Sequence, residues 1–552
     1  MSYNPILLDD GTVGLRPVDG SKDTDISYSY GTGRARDWYM EAGFNYSRTF
    51  GDHTVGGLLL YNQSKSYYPS TYSDIPTGYV GLVGRATYDY KNKYMAEFNI
   101  GYNGSENFAP DKRFAAFPAG SVGWVVSEED FFEPLKPVVS FLKLRASVGL
   151  VGNDKGGGRF LYLADPYSVN LGSLANRVTA DRNSAWGYNF GVENGTVSLG
   201  AREYSKNNSD VTWEKSLKQN YGVDANFFDD RLKATAEYYF ENRWDILLRD
   251  ATAPGMLGFT TPYANLGKVN SWGWELSLKW NDKINDNFRY WIGANLSYNQ
   301  NEIIEMKEEP QNYDYLYQKG HRIGARSQYV FWRYYDESTP ELYEKTFNRP
   351  FPEYTVTLQP GDAVYVDLNG DRIIDSQDMS YDYGYTDDPE YMLGFNFGFT
   401  WKNFEVSTQW TAAWNVSRMI SDVFRQPFLS SAGNQYGGLL VYHLDNTWTE
   451  ENPSQDAAYP RATWANSSNN YAVSTLYEQD AKYLRLKTLQ VAYNFKTPWM
   501  KKLGLNTCQL AFSGYNLLTF TPYIWGDPEA RATNAPSYPL SKTYTLSLKL
   551  GF

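Results

Sequence analysis

The chain has 552 residues, 17% of them aromatic, and a net charge of −12, with a mean hydropathy of −0.55. Its length exceeds an ordinary globular domain of roughly 100–200 residues, its acidity argues against nucleic acid as a partner, and no apolar run approaches the roughly 18 residues of a membrane helix. The aromatic richness leaves two classes open, a membrane β-barrel, whose alternating strands hide from hydropathy averages, and a carbohydrate-binding β protein.

The opening stretch, MSYNPILLDDGTVGLRPVDG, has neither the basic nor the apolar region of a secretory signal. Beyond it, alternation with period two predicts fifteen strands, near 36–50, 54–66, 77–91, 93–107, 113–127, 138–152, 213–228, 231–247, 263–283, 286–304, 391–402, 403–416, 480–495, 507–518 and 541–552. In 231–247, for instance, Leu232, Ala234, Ala236, Tyr238 and Phe240 alternate with Lys233, Thr235, Glu237, Tyr239 and Glu241. Short turns are expected at Gly51–His53, Lys91–Asn92, Asp229–Asp230, Asn281–Asn285 and Trp401–Asn403, with Trp280 and Phe288 flanking the fourth. Very long connections are expected at about 153–212, 305–390 and 417–479. Short turns on one side and long loops on the other are the topology of a bacterial outer-membrane barrel. The single Cys508 excludes an intrachain disulfide.

In the last predicted strand Tyr544, Leu546, Leu548, Leu550 and Phe552 form one apolar face and Thr545, Ser547, Lys549 and Gly551 the other. Working back from a periplasmic Phe552, an odd strand count puts the first strand on the wrong side for a complete barrel. The expectation is therefore a chain whose preceding strands lie before Met1.

Seven blocks carry a resemblance: FAAFPAGSVGWVVSEEDFF (114–132), LKLRASVGLVGND (142–154), WEKSLKQNYGVDANFFDDRLKATAEYYFENRWDILL (213–248), DLNGDRIIDSQDM (367–379), WTEENPSQDAAYPR (448–461), DAKYLRLKTLQVAYNF (480–495) and YNLLTFTPYIWGDPEA (515–530). In this order they resemble the SusC/RagA family of TonB-dependent outer-membrane transporters. The resemblance implies an all-β fold, a transmembrane antiparallel β-barrel of about 22 strands, of which residues 1–552 supply the C-terminal 14–16 or so, without the plug domain. It implies localisation in the bacterial outer membrane among its lipids. It also implies a SusD-like surface lipoprotein as a lid, coupling to the TonB complex through an N-terminal part, and uptake of oligosaccharides or peptides. Phe552 resembles the terminal signal read by the barrel-assembly machinery, with Tyr544, Leu546, Leu548 and Leu550 in the same apolar row.

The sharpest local motif lies at 367–378, inside the loop 305–390. Asp367, Asn369, Asp371, Asp375 and Asp378 hold oxygens at loop positions one, three, five, nine and twelve, and the carbonyl of Ile373 falls at seven. That is EF-hand-like spacing for calcium, with Arg372 where glycine normally turns the chain. The same residues also read as a solvated acidic loop. Trp332, Tyr334, Tyr335, Trp448 and Trp464 stand in the long loops, either to stack on sugar rings or to pack the loops. His53, His321 and His443 lack metal-ligand spacing, and no G-x-S-x-G, Walker A or C-x-x-C motif occurs, so the expectation is no enzyme. The competing reading is a surface glycan-binding or adhesion barrel without active transport.

Overall fold

The computed structural model describes residues 3–7, 13–17, 30–31, 33–69, 75–163, 168–169, 187–189, 197–199, 201–202, 206–257, 261–420, 422–427, 440–498, 500, 504–531 and 540–552. They form two compact units, residues 1–40 with 63–79 and residues 41–62 with 80–552. In the smaller unit Tyr3–Leu7 pairs antiparallel with Val13–Pro17, and the Arg34 and Arg36 guanidinium groups lie 4.1 and 5.3 Å from the ring centres of Tyr68 and Tyr67.

Fifteen long strands make one sheet. In chain order they are β1 (Arg36–Phe50), β2 (His53–Tyr67), β3 (Thr77–Tyr90), β4 (Tyr94–Ser105), β5 (Phe114–Val125), β6 (Val139–Asn153), β7 (Glu214–Phe227) and β8 (Leu232–Arg249). Then come β9 (Tyr263–Asn285), β10 (Phe288–Glu305), β11 (Tyr391–Trp401), β12 (Phe404–Trp414), β13 (Tyr483–Asn494), β14 (Thr507–Phe520) and β15 (Thr543–Gly551). Each neighbour in the sheet is the next of these strands along the chain. All fifteen predicted strands are present, with ends within three residues of expectation. Among the described residues no helix is long and apolar enough to cross a membrane, so the sheet is the only structure here whose backbone groups are paired for such a crossing.

Alternation explains the two faces. On β10 and β11 the register pairs Tyr298 with Tyr391, Leu296 with Leu393 and Ile292 with Phe397 on one face, and Ser297 with Met392, Asn295 with Gly394 and Gly293 with Asn396 on the other. The apolar face ends in two aromatic rows. At the short-turn end Phe288 stacks on Phe399 at 5.8 Å, and Phe404 meets Tyr493 edge-on at 4.7 Å. At the long-loop end Trp274, Tyr298, Tyr391 and Trp414 run side by side, with centroids 6.2, 4.7 and 5.0 Å apart. The ten-residue step from Phe288 to Tyr298 along β10, at about 3.3 Å per residue and a tilt of about 40°, spans about 25 Å, the height of a barrel's apolar band.

The short turns need left-handed backbone. Lys91 and Asn92 have φ of 55° and 54°, and Lys93 N–H donates to the Tyr90 carbonyl at 2.9 Å, as a two-residue hairpin requires. One predicted turn is displaced. Residues 281–285 belong to β9, which pairs on to Asn285 opposite Phe288, so the tip is Asp286–Asn287. The polar run Asn281-Asp282-Lys283 reads as a turn but is strand, because the ladder absorbs an irregularity between Lys283 and Asn285. Trp280 consequently pairs with Ile292, and its indole N–H donates to the Tyr290 hydroxyl at 3.0 Å.

Candidate functional site

At the long-loop end, residues of 305–390, 417–479 and 521–531 pack on one another. The core is a set of tyrosines no more than 2% exposed: Tyr334, Tyr343, Tyr365, Tyr459 and Tyr477. A buried hydroxyl without a partner is costly, and these have partners. Tyr334 donates to the Ala457 carbonyl at 2.8 Å, Tyr365 to Asn469 at 2.6 Å, Tyr459 to Phe424 at 2.6 Å and Tyr477 to Asn470 at 2.5 Å. Burial pushes the ionisation of Tyr365 and Tyr477 well above the ordinary phenol range.

Three ionic nodes join the segments. Asp362, fully buried, accepts from Arg461 Nε at 2.8 Å, Asn466 Nδ2 at 2.6 Å, Asn470 Nδ2 at 2.8 Å and its neighbour Gln359 N–H at 2.8 Å. Glu478 accepts from Gln328 Nε2 at 2.6 Å, Tyr385 N–H at 2.9 Å, Arg326 Nη1 at 3.3 Å and the Ser417 hydroxyl. Gly384 is needed beside it, since its φ is +82° and a Cβ would lie 2.0 Å from the Glu478 oxygens. Arg485 of β13, 2% exposed, donates to Thr519 Oγ1 at 3.0 Å, Asp527 at 2.8 Å and Glu529 at 2.5 Å. Through it the segment 521–531 is fastened to the polar face of the sheet. Arg418 holds the other side of that segment, donating to the Pro528 and Ala530 carbonyls at 3.1 Å each.

The polar face is itself charged. Arg145 on β6 reaches Asp224 at 3.1 Å and also pairs with Glu237. A cavity of about 420 Å³ lies between the face and Glu529, lined also by Glu275, Asn295 and Tyr483. The arrangement gives a polar surface with hydrogen-bonding groups of both kinds, bordered by a packed loop body. His53 Nδ1 meets the Tyr88 hydroxyl at 2.8 Å, His321 Nε2 meets Asp382 at 2.8 Å, and His443 is buried with Nε2 3.2 Å from the Phe424 carbonyl. Burial lowers the basicity of His443.

The segment 367–378 wraps its carboxylates around backbone amides. Asp367 accepts from Gly370 N–H at 2.5 Å and Arg372 N–H at 3.0 Å; Asn369 from Asp371 N–H at 2.8 Å; Asp371 from Ile373 N–H at 2.8 Å. Asp375 accepts from Gln377 N–H at 2.7 Å, and Asp378 from Leu368 and Asp375 N–H at 2.8 and 2.9 Å. Arg372 is left-handed, with φ of 73°. Burial, aided by the Asp367 charge and opposed by the amides, raises the Asp378 carboxyl to about 6. Among the described residues no three His, Cys, Asp or Glu side chains are grouped to hold a metal ion.

Of the five loop aromatics, Tyr334 and Trp448 are buried and Trp332 and Tyr335 half-buried. Trp332 lies edge-on to Tyr343 and Phe347 at 5.2 and 5.3 Å, Tyr334 is fully buried, Tyr335 lies 6.1 Å from Phe351, and Trp448 is 5% exposed. Trp464 is 64% exposed. In β15, Tyr544, Leu546 and Leu548 sit opposite Gly514, Phe512 and Leu510, and Leu550 opposite Cys508. Their row is exposed, as is Phe552.

No family model matches the chain. Among curated proteins, TonB-dependent receptor P3 of Formosa agariphila is 27% identical over 542 residues, 93% of this chain and 49% of that protein. TonB-dependent receptor SusC of Bacteroides thetaiotaomicron is 26% identical over 493 residues, 86% and 44% of the two. Along most of its length the chain is similar to TonB-dependent receptors of the SusC kind. It spans about half the length of the curated relatives it matches. Among solved structures, the RagAB peptide importer in its closed-closed state superposes with a TM-score of 0.69 at 20% identity, over 94% of this chain and 55% of that one, which shows the fold. The chain is thus all-β, with one antiparallel fifteen-stranded sheet of the outer-membrane barrel fold. The nodes at Asp362, Glu478 and Arg485 had not been singled out as sites in the sequence. Arg485, Asp527 and Glu529 do fall inside two of the quoted family blocks, which was the available signal.

Proposed function

We propose that this chain forms membrane wall and outer loops of a TonB-dependent nutrient importer. A SusD-like surface lipoprotein covers the loop body, the TonB complex supplies energy through an N-terminal part, and oligosaccharides or peptides pass along the polar face. The observation that carries this reading is the continuous similarity to SusC across 86% of the chain, wall and loops together. The test is uptake of fluorescent oligosaccharide and peptide pools by the native organism, comparing wild type, a deletion of this gene and a TonB deletion. Loss in both deletions is expected; undiminished uptake in either one sinks the proposal.

Calcium belongs to the same reading. Four aspartates and Asn369 supply hard oxygen donors at the right sequence spacing, but their side chains accept from the segment's own amides and are not grouped around one point, so an ion would have to draw them off those amides. Asp367, Asn369, Asp371, Asp375, Asp378 and the Ile373 carbonyl would hold the ion, which would neutralise the carboxylates and pin the loop. Calorimetry on the whole protein should show binding weaker than in sensor proteins, in the range of about 10⁻⁴–10⁻³ M, and its disappearance in Asp367→Ala/Asp371→Ala. Of the five loop aromatics, Trp464 is the most exposed and Trp332 and Tyr335 are half-buried, and these three are proposed to stack on sugar rings, whereas Tyr334 and Trp448 are too buried to reach one without rearrangement. The row from Tyr544 to Phe552 is proposed as the signal for barrel assembly.

A further inference from the structure

Trp272 of β9 and Gln300 of β10 are register partners, two residues beyond the stacked pair Trp274 and Tyr298. Side chains two apart on a strand share a face. Trp272 and Gln300 therefore continue the lipid-directed face just past the aromatic row at the long-loop end, where headgroups replace acyl chains. Here residues 320–325 and 381–386 fold against the strand ends and leave a cavity of about 290 Å³. It is at the small end for a ligand site, with room for one ring rather than a chain.

Three polar atoms of its lining residues are buried without a hydrogen-bond partner: Gln300 Oε1, His321 Nδ1 and Arg322 Nε. Both side chains are fixed at their far ends, His321 by Nε2 to Asp382 and Arg322 by Nη1 to Glu390, each at 2.8 Å. Their orphan atoms are thus held rather than free to seek solvent, and buried polar groups want partners. The set offers an acceptor, a donor and an imidazole nitrogen that serves as either. Aromatic walls come from Trp272 and Tyr381, the latter ring 5.8 Å from His321. Arg322 and Glu390 neutralise each other, and the lining also holds the carboxylates of Asp382 and Glu302, so an anion is disfavoured. An uncharged ring bearing hydroxyls satisfies both the donors and the acceptors and lies well against aromatic faces.

We propose that this cavity binds a sugar ring of an outer-leaflet glycolipid. A soluble sugar offers the same hydroxyls, but the face that carries Trp272 and Gln300 is the one turned to lipid. The proposal rests on the outer-membrane placement of the sheet and not on import.

The test is hydrogen–deuterium exchange on the whole protein, isolated from outer membranes and placed in nanodiscs of phosphatidylethanolamine with or without lipopolysaccharide. Lipopolysaccharide should slow exchange in 320–325 and 381–386 about tenfold, and Gln300→Leu should remove most of that slowing while leaving β9 to β11 protected. Millimolar maltose in the phospholipid nanodisc should have no effect. Slowing by maltose instead would assign the cavity to soluble saccharide and overturn the glycolipid source. No slowing by either probe would leave a water-filled cavity and overturn the proposal. Fast exchange throughout β9 to β11 would overturn the membrane placement beneath it.

Discussion

The sheet and the loop body of this chain are stabilised in opposite ways. On the sheet, large apolar side chains stand exposed in rows, with Phe98 at 51%, Val148 at 49% and Leu546 at 73%, and the backbone ladder holds the strands. In the loop body the apolar groups are inside, with Tyr334, Tyr343 and Tyr477 fully buried, and ionic nodes tie segments far apart in sequence. The sheet is built for a solvent that accepts oil, the loop body for water. The difference teaches that the loops are a folded body in their own right. They and the wall should therefore fail separately.

The largest separation should come from the wall. Deleting Phe552, or Phe552→Ser, should cut the amount of heat-modifiable protein in outer-membrane fractions severely while leaving synthesis unchanged. Undiminished heat-modifiable protein would remove any role of the terminal row in assembly. Conversely, Asp362→Ala should spare the wall and loosen the loops. It leaves Arg461 without its carboxylate and takes one acceptor each from Asn466 and Asn470, which at a buried ionic site costs about 3–5 kcal/mol. Limited proteolysis should nick 305–479 much faster with heat-modifiability intact; if both fail together, the two regions are one cooperative unit.

Gly384→Ala sharpens the same contrast. A left-handed alanine whose Cβ collides with Glu478 should destabilise the loop body by about 2–3 kcal/mol, read as earlier thermal nicking. Arg372→Gly should act in the other direction. Releasing a non-glycine residue at φ of 73° recovers about 1 kcal/mol, seen as slower nicking of 367–378. The smallest effect is on acidification. His443 is held neutral by burial, so unfolded chain takes up a proton that folded chain refuses. Its contribution is fully present above the ordinary value of 6.5 and is lost as pH falls below it, by at most about 1.4 kcal/mol per pH unit. Protease sensitivity around 440–446 should rise between pH 7 and 5 in the wild type and be flatter in His443→Phe.

This contrast also governs what could be read in advance. The fifteen strands were legible because a wall with oil on one side imposes a strict period of two, visible in Tyr238, Phe240 and their neighbours. Where the period carried a bulge, at Lys283 to Asn285, the turn was misplaced. The loop body has no period. Asp362 gains its meaning from Arg461 and Asn470, about a hundred residues away, and nothing near it in sequence announces them. Trp332 likewise looks the same in a sequence whether it stacks on a ligand or on Tyr343 and Phe347. In the acidic segment 367–378 only the oxygen spacing was legible, which suits a calcium loop or a solvated acidic loop alike; that its carboxylates accept from the segment's own amides has no signature in residue type.

The sheet's plain order, each strand beside the next, has a consequence for how the molecule is made. Neighbours in the wall close only short stretches of chain at the short-turn side, so hairpins can be added one after another with little loop-closure entropy. Arg326, by contrast, waits for Glu478, 152 residues later, and the Arg485 node waits for Asp527 and Glu529. The outer body is therefore the last part to set, finished only when the final strands arrive. Until then its tyrosines face the solvent they are meant to leave, and the interval between the two events is when this chain is most open to misassembly and proteolysis.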